Sequence, residues 1–402
     1  MMNYPQSQWE RIMKIQDVFS KAQHKKITWS EASEILGVSD RTVRRWKETI
    51  EQNGYEGLLD QRTMRPSPKR APEAIRDRTL KLYRDTYWEW NVKHFHEQLA
   101  KCGISYAYTW VKNLLQGAGY VEVRHRKSKH RLRRERKPLV GMMLHIDGSE
   151  HEWIPDLSPQ KQSLILIPDD ANNDIYYAKL APEETTQECM LGLYQVVVTK
   201  GVFCSLYSDR AGHFFHTPKA GGKVDLANLT QIGRALYELG IEPIPAYSPQ
   251  ARGRSERFNR TWQDRLPKEL KLHGIKTIPD ANRYIMDVFL PNYRKRFLKT
   301  PTQKGSAFTP YRGKNLDLIF SIKEQRTVLP DNTVHWNNLI LQIEPSKFRC
   351  SFAKCKVTVH EHLDHSISIV YGPHTIGRFK PAGSSLSKTT KPKPVKQLIT
   401  LT

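Results

Sequence analysis

Between Leu139 and about Thr300 the chain runs through short apolar stretches in an order that few folds accept. Residues 143–147, SLILIP, DIYYAKL, FCSLYS and IEPIPAY read as strands. TTQECMLGLYQVVVT, LTQIGRALYEL and residues 249–275 read as amphipathic helices. Three early strands followed by alternating helices and strands predict one α/β sheet with helices packed on it.

Three acidic residues fall at telling places in that order. Met143, Leu144 and Ile146 form an apolar run that ends at Asp147-Gly148, and Phe203 to Tyr207 form another that ends at Ser208-Asp209. The third is Glu256, set among Arg, Gln and Asn in AYSPQARGRSERFNRTWQDRL. A helix opening after Ser248-Pro249 fits this stretch, because Ser caps helices and Pro is tolerated in the first turn. At helical spacing Asn259, Arg260 and Gln263 share the side of Glu256, while Phe258, Trp262, Leu266 and Leu270 follow another. Alone, such a helix would be an ordinary amphipathic one. Three carboxylates converging on one sheet edge would instead repel one another unless a divalent cation neutralised them, and hard oxygen donors select Mg²⁺ or Mn²⁺ over Zn²⁺. Asp169-Asp170, before Ala-Asn-Asn, reads as turn chemistry rather than as further ligands.

The segments HIDGSEHEW, LILIPDDANN, LYSDRAGHFF and IPAYSPQARGRSERFNRTWQDRLPKEL resemble, in that order, the signature segments of the DDE transposases of bacterial insertion sequences. The resemblance is to the ISNCY type in particular, within the retroviral integrase superfamily. It implies an RNase H-like core over 138–300, with Asp147, Asp209 and Glu256 as catalytic residues and ligands of two Mg²⁺ or Mn²⁺ ions. It also implies strand cleavage at the element's ends and strand transfer into target DNA, by a homo-oligomer assembled on that DNA. The 47 positions from Asp209 to Glu256 exceed the family's usual interval, and the Gly/Lys-rich insertion HTPKAGGKVDLAN accounts for the excess.

Charge agrees with a nucleic-acid partner. Lys and Arg number 64 against 41 Asp and Glu, giving a formal net charge of +23 and a pI of about 9.7. A membrane-surface protein is the competing reading, but no run of 18 apolar residues occurs and mean hydropathy is −0.62. The opening MMNYPQSQWERIMK has no apolar core of a signal peptide, and the five scattered cysteines suit a reducing compartment, so a cytoplasmic, nucleoid-associated protein is expected.

Before the core, KITWSEASEILGVSDRTVRRWKETIEQNG has the pattern of a helix-turn-helix, with a turn at Gly37-Val38-Ser39. Its second helix turns Val43 and Trp46 inward and offers Arg41, Thr42, Arg44, Arg45 and Lys47 to DNA. This domain is expected over 1–64. A second helix-turn-helix-like module is expected over 65–137, turning near Cys102-Gly103-Ile104 and ending in the basic run Val121 to Pro138; His94 and His96 there read as surface or core residues. Around the catalytic helix, Gln250, Arg252, Arg254, Asn259 and Arg260 are expected to contact DNA phosphates. Alternating strands predict a small β-barrel over 301–380, with His360, His362 and His365 exposed, and then a basic disordered tail over 381–402.

Two other readings compete. A metal-dependent nuclease would use the same acids but stop at hydrolysis, and a DNA-binding regulator derived from a transposase should have lost one of them. A Ser or Tyr recombinase would have Ser208 or Tyr247 as its nearest candidates, without the arginine company such a nucleophile needs.

Overall fold

The structure is a computed structural model that describes residues 6–59, 70–123, 135–155, 157, 160–219, 222–247 and 253–380. These divide into two compact units, one of residues up to 87 with 99–121, the other of 88–98 with residues from 122 onward.

The first unit is helical. Helices α1 (Gln6–Gln23), α2 (Trp29–Leu36) and α3 (Asp40–Asn53) enclose Ile15, Phe19 and Val43, with Trp29, Leu36 and Trp46 packed around them. Thr28 and Glu31 cap α2 reciprocally: the Thr28 hydroxyl accepts from the Glu31 N–H at 3.2 Å and the Glu31 carboxylate from the Thr28 N–H at 2.7 Å. Gly37, at φ 65°, supplies the left-handed step that ends α2 and lets the chain turn into α3. The expected helix-turn-helix is therefore built as its sequence suggests. Helix α4 (Glu73–Asp85) and helix α6 (Tyr108–Gly117) also belong here, whereas most of helix α5 (Val92–Lys101) falls in the second unit, and Gly103, at φ 76°, stands in the turn after it. The proline-rich linker and the basic run lie largely outside the described residues, as does the tail over 381–402.

The second unit is organised by strands β1 (Met143–His145), β2 (Asp147–His151), β3 (Gln162–Pro168), β4 (Ile175–Ala181), β5 (Ser205–Ser208) and β6 (Glu242–Pro245). Strands β1, β5 and β6 pair in parallel, and β2, β3 and β4 pair antiparallel. Residues 143–151 thus give their first half to β5 and their second to β3, changing partner at Ile146. This corrects the expectation that the strand ends at Asp147: GSEH continues it, because β3 offers a paired edge and buries Ser149.

Strand β3 is buried along its whole length, as an apolar run in a central strand should be. Its side chains alternate between two cores. Ile165 and Ile167 face α7 (Thr186–Thr199) and α8 (Gln231–Glu238), while Leu164 and Leu166 face α9 (Ser255–Leu272), α10 (Ile278–Tyr284) and α11 (Leu290–Phe297). Trp262 of α9 is wholly buried in the second core, with the rings of Phe289 and Tyr293 against it. Phe258, Leu266 and Leu270 extend that face as the spacing predicts, and each large apolar side chain so buried contributes about 1.5–3 kcal/mol.

Residues 301–320 stay with this sheet before any new one begins. Ser306 bridges Val140, Thr309 bridges Val202, and Phe320 and helix α12 (Leu316–Ile319) join the first core. Beyond them, β7 (Ile322–Thr327), β10 (Lys356–Glu361), β11 (Ile367–Tyr371) and β12 (His374–Phe379) form an antiparallel sheet in the order β12-β11-β10-β7, and β8 (Thr333–Trp336) pairs with β9 (Leu339–Gln342). The sheet and hairpin share one core, with no closed ring of paired strands among the described residues. Two histidines expected to be exposed are buried: the Ser321 hydroxyl lies 2.8 Å from His360 Nδ1, and the Ser368 hydroxyl 2.7 Å from His362 Nε2. Val357 and Val359 take the face of β10 turned to the strand core, so His360 falls on the other face and is covered by Ser321, while His362, just past the strand, has its Nδ1 3.2 Å from the Asp317 carbonyl oxygen. His365 is exposed, as expected.

Candidate active site

The parallel register of β1 and β5 decides where the first two carboxylates stand. His145 is opposite Tyr207, so Asp147 and Asp209, each two residues further on, leave adjacent strands at the same level, where neighbouring strands are about 4.8 Å apart. Asp147 is 7% exposed. Asp209 is partly buried and fixes its loop by accepting from the Ala211 N–H at 3.0 Å.

Helix α9 presents its polar face to the same edge. Asn259 donates from Nδ2 to Asp147 Oδ2 at 2.7 Å, and one turn later Gln263 donates to the Ser149 hydroxyl at 2.9 Å. Glu256 is exposed, one turn before Asn259 on that face. The trio Asp147, Asp209 and Glu256 does not bring its ligand atoms all within 4.8 Å of one another. Asn259, expected on phosphate, is instead a partner of Asp147.

The expected helix opening after Ser248-Pro249 lies, with Gln250 and Arg252, outside the described residues; among those described, α9 runs from Ser255. Its N-cap is Arg254, whose side chain makes no cap and reaches back to the fully buried Asp170. Asp170 also accepts from His145 Nε2 at 2.9 Å and from the Lys137 N–H at 2.8 Å, while His145 Nδ1 lies 3.4 Å from the Ser255 hydroxyl. Burial would raise the Asp170 pKa, but the hydrogen bonds from His145 and Lys137 and the charges of His145 and Arg254 outweigh it and hold the carboxyl well below its usual range. Asp169 is a turn residue, as expected, accepting from the Ala171 N–H at 2.8 Å. Asp170 is not: it joins the end of β3 to the start of α9. Arg254 is accordingly committed to the protein rather than offered to DNA.

The far half of α9 is anchored differently. Glu269 accepts from His94 Nε2 at 2.7 Å and from the Tyr284 hydroxyl at 2.7 Å. Burial depresses the His94 pKa despite this carboxylate. His94 is thus one of the core histidines that the sequence allows.

A second cluster lies beside the aspartates and had no sequence signal. His213 Nε2 is 3.0 Å from Glu184 Oε1, and the Cys189 thiol donates to the same oxygen at 3.6 Å. Burial, then the charges of Glu184, Glu188 and Asp209, push the Cys189 thiol pKa up. No run of residues announces this group, because its members come from a turn, a helix and a loop.

In the helix-turn-helix, Arg41, Arg44, Arg45 and Lys47 are exposed on α3, while Thr42 is partly buried with its hydroxyl 3.0 Å from that of Ser39. Lys47 also lies over the Trp29 ring, 5.1 Å from its centroid. Arg260, on α9, is exposed. Among the described residues no helix is long and apolar enough to cross a membrane.

Residues 16–67 match a helix-turn-helix domain family. Over 375 residues the chain is 29% identical to "Putative transposase y4bF" of Sinorhizobium fredii, spanning 91% of this chain and 80% of that one. Over 312 residues it is 29% identical to "Transposase for insertion sequence IS1202" of Streptococcus pneumoniae, spanning 69% of this chain and 66% of that one. Among solved structures, a simian T-cell lymphotropic virus intasome in complex with a PP2A regulatory subunit aligns with 75% of this chain and 99% of its own at a TM-score of 0.32 and 14% identity. The HTLV-2 integrase catalytic core in complex with magnesium aligns with 37% of this chain and 88% of its own at 0.28 and 15%. Both structural likenesses are slight. The chain is thus similar along most of its length to transposases, and it carries a helix-turn-helix module near its start.

Proposed function

We propose that the chain cleaves DNA strands at the ends of an insertion sequence and transfers them into target DNA, with Asp147, Asp209 and Glu256 as its catalytic acids. The observation that carries this reading is the β1–β5 register, which puts Asp147 and Asp209 each two residues beyond the paired ends of neighbouring parallel strands, with Asp147 bonded to Asn259 on the polar face of α9. These acids are hard oxygen donors of the kind Mg²⁺ or Mn²⁺ takes, and Asp147 accepts a hydrogen bond from the neutral amide of Asn259. The three would hold two such ions. When bound, they activate the attacking oxygen and stabilise the leaving one in an in-line displacement.

The protein's own residues supply position. Asn259 orients Asp147 through one carboxylate oxygen, and Gln263 holds the next turn of α9 to β2. Arg260, with Gln250 and Arg252 in the approach to the helix, would offset the repulsion between donor and target phosphates. The exposed face of α3, with Arg41, Arg44, Arg45 and Lys47, would read the element's ends. The work would be done in the cytoplasm, on nucleoid DNA, by a homo-oligomer.

The test is a strand-cleavage and joining assay on duplexes carrying the ends of the element, with Mg²⁺ or Mn²⁺. Asp147→Asn, Asp209→Asn and Glu256→Gln should each abolish cleavage and leave DNA binding intact. Any of the three cleaving at the unmodified rate sinks its assignment, and cleavage without joined product identifies a nuclease.

A further inference from the structure

We propose that Glu184, Cys189 and His213 form a binding site for a thiophilic divalent cation of the zinc class, beside the candidate catalytic carboxylates. Among the described residues this is the one group of three potential ligands whose donor atoms all lie within 4.8 Å of one another. Its donors are an imidazole nitrogen, a thiol sulfur and a carboxylate oxygen, a set that zinc accepts and magnesium does not.

The spacing suits an ion without movement of the backbone. Zinc–ligand bonds of about 2.0–2.3 Å in tetrahedral geometry put neighbouring ligand atoms about 3.3–3.7 Å apart. Here His213 Nε2 and Cys189 Sγ stand 3.0 and 3.6 Å from Glu184 Oε1. An ion at their meeting point would replace two hydrogens that now converge on one oxygen. Cys189 is fully buried and forms the floor, whereas the Glu184 and His213 side chains are 22% and 19% exposed. The open side gives an ion its entry and leaves a fourth position for water.

A plain hydrogen-bonded trio would explain these contacts but not Gly148. A Cβ on that residue would come within 1.8 Å of Glu184 Oε2, so only glycine there lets the carboxylate lie against β2 with its other oxygen turned to Cys189 and His213. The ligands also come from separate places: Glu184 precedes α7, Cys189 is in its first turn, and His213 is in the loop that Asp209 opens. A bound ion would therefore tie that loop to α7, next to the strand carrying Asp147.

The experiment uses the full chain, stripped with chelator and titrated with Co²⁺ as a spectroscopic stand-in for Zn²⁺. The expected result is a saturable near-ultraviolet sulfur-to-cobalt charge-transfer band that Zn²⁺ bleaches. Cys189→Ser should lose the band. His213→Gln, a change at a partly exposed position that leaves folding intact, should keep it at about tenfold weaker affinity or worse, and Gly148→Ala should weaken it likewise by displacing Glu184. Asp147→Asn should leave it unchanged, so the outcome does not depend on strand cleavage. No band in the unmodified protein, a band that survives Cys189→Ser, or full affinity in His213→Gln would each overturn the proposal.

Discussion

Asp170→Asn tests whether helix α9 is held from beneath. The change keeps the shape of a fully buried side chain but removes the charge that Arg254 and His145 face. It also sets an amide NH₂ against the Lys137 N–H at Oδ2 or against the donors at Oδ1. Removing one partner of a buried ion pair costs about 3–5 kcal/mol, a large share of the roughly 5–15 kcal/mol that holds a domain together. Because Arg254 directly precedes Ser255, the loss should appear first as faster hydrogen exchange in the first turn of α9, with denaturant unfolding shifted by the amount above. If the displaced turn weakens transition-state contacts by only about 1.4 kcal/mol, strand cleavage falls about tenfold. The companion variant Asp170→Asn/Arg254→Met removes the stranded cation too, and should recover about 1–3 kcal/mol relative to the sum of the single changes. The sign with pH follows from the depressed Asp170 pKa: its contribution is complete above the usual carboxylate value of 3.8 and is lost only as pH falls through the lower folded value. The deficit of Asp170→Asn should therefore be constant from about pH 5 to 7. A variant within 1 kcal/mol of the parent, or strictly additive single changes, would refute the reasoning.

Three further outcomes are expected. Asn259→Ala removes a charge-assisted hydrogen bond worth about 1.5–3 kcal/mol from Asp147 and should slow cleavage about 10–100-fold with DNA affinity unchanged; an unaltered cleavage rate would mean that Asp147 is positioned by other groups. Alanine at Arg41, Arg44 or Arg45 should cost about 1–3 kcal/mol of binding to terminal DNA where a base contact is lost, or lower the salt dependence where a phosphate contact is lost, and a triple variant with unchanged affinity and salt slope would exclude α3 as the reader. Burial, with the charges of Lys323, His362 and Arg234, brings the His360 pKa down to about 4 from 6.5, so its neutral form stabilises the fold fully above 6.5 and that stability is lost as pH falls. By pH 4.5 the loss is about 2.5 kcal/mol, and His360→Gln should lack it; parallel stability curves for the two proteins between pH 7 and 4.5 would contradict this.

What the sequence made legible was whatever repeats locally. The strand and helix order of 143–272, the inward row of Phe258, Trp262, Leu266 and Leu270, and the turn at Gly37 all follow from short-range periodicity and capping, and the structure contains them. Asp147 and Asp209 were visible because each closes an apolar run. Partnerships across long separations were not. Asn259 and Arg254 looked like DNA contacts because an amide and a guanidinium beside an acidic residue read the same whether their partner is a phosphate or a carboxylate elsewhere in the chain. Asp170 looked like a turn residue since its neighbour Asp169 is one. The trio of Glu184, Cys189 and His213 joins three elements that no pattern connects. His360 and His362 were misjudged because a buried histidine satisfied by serine leaves the same alternation as an exposed one.

The change of partner at Ile146 limits how a lineage of such proteins can vary. A residue added or lost between Met143 and His151 would put one half of this run out of step with β5 or β3 and turn Asp147 to the opposite face of the sheet. Length there is frozen by pairing on both sides. No such lock applies between Asp209 and Glu256, where the added segment is carried in connecting chain between β5 and α8, and helix α9 is registered to the sheet by Asn259, Gln263 and Arg254 rather than by the count of residues before it. Insertions and deletions among relatives should accordingly gather in the second interval and be absent from the first, so the distance between Asp209 and Glu256 along the chain is a poor guide to their distance in space.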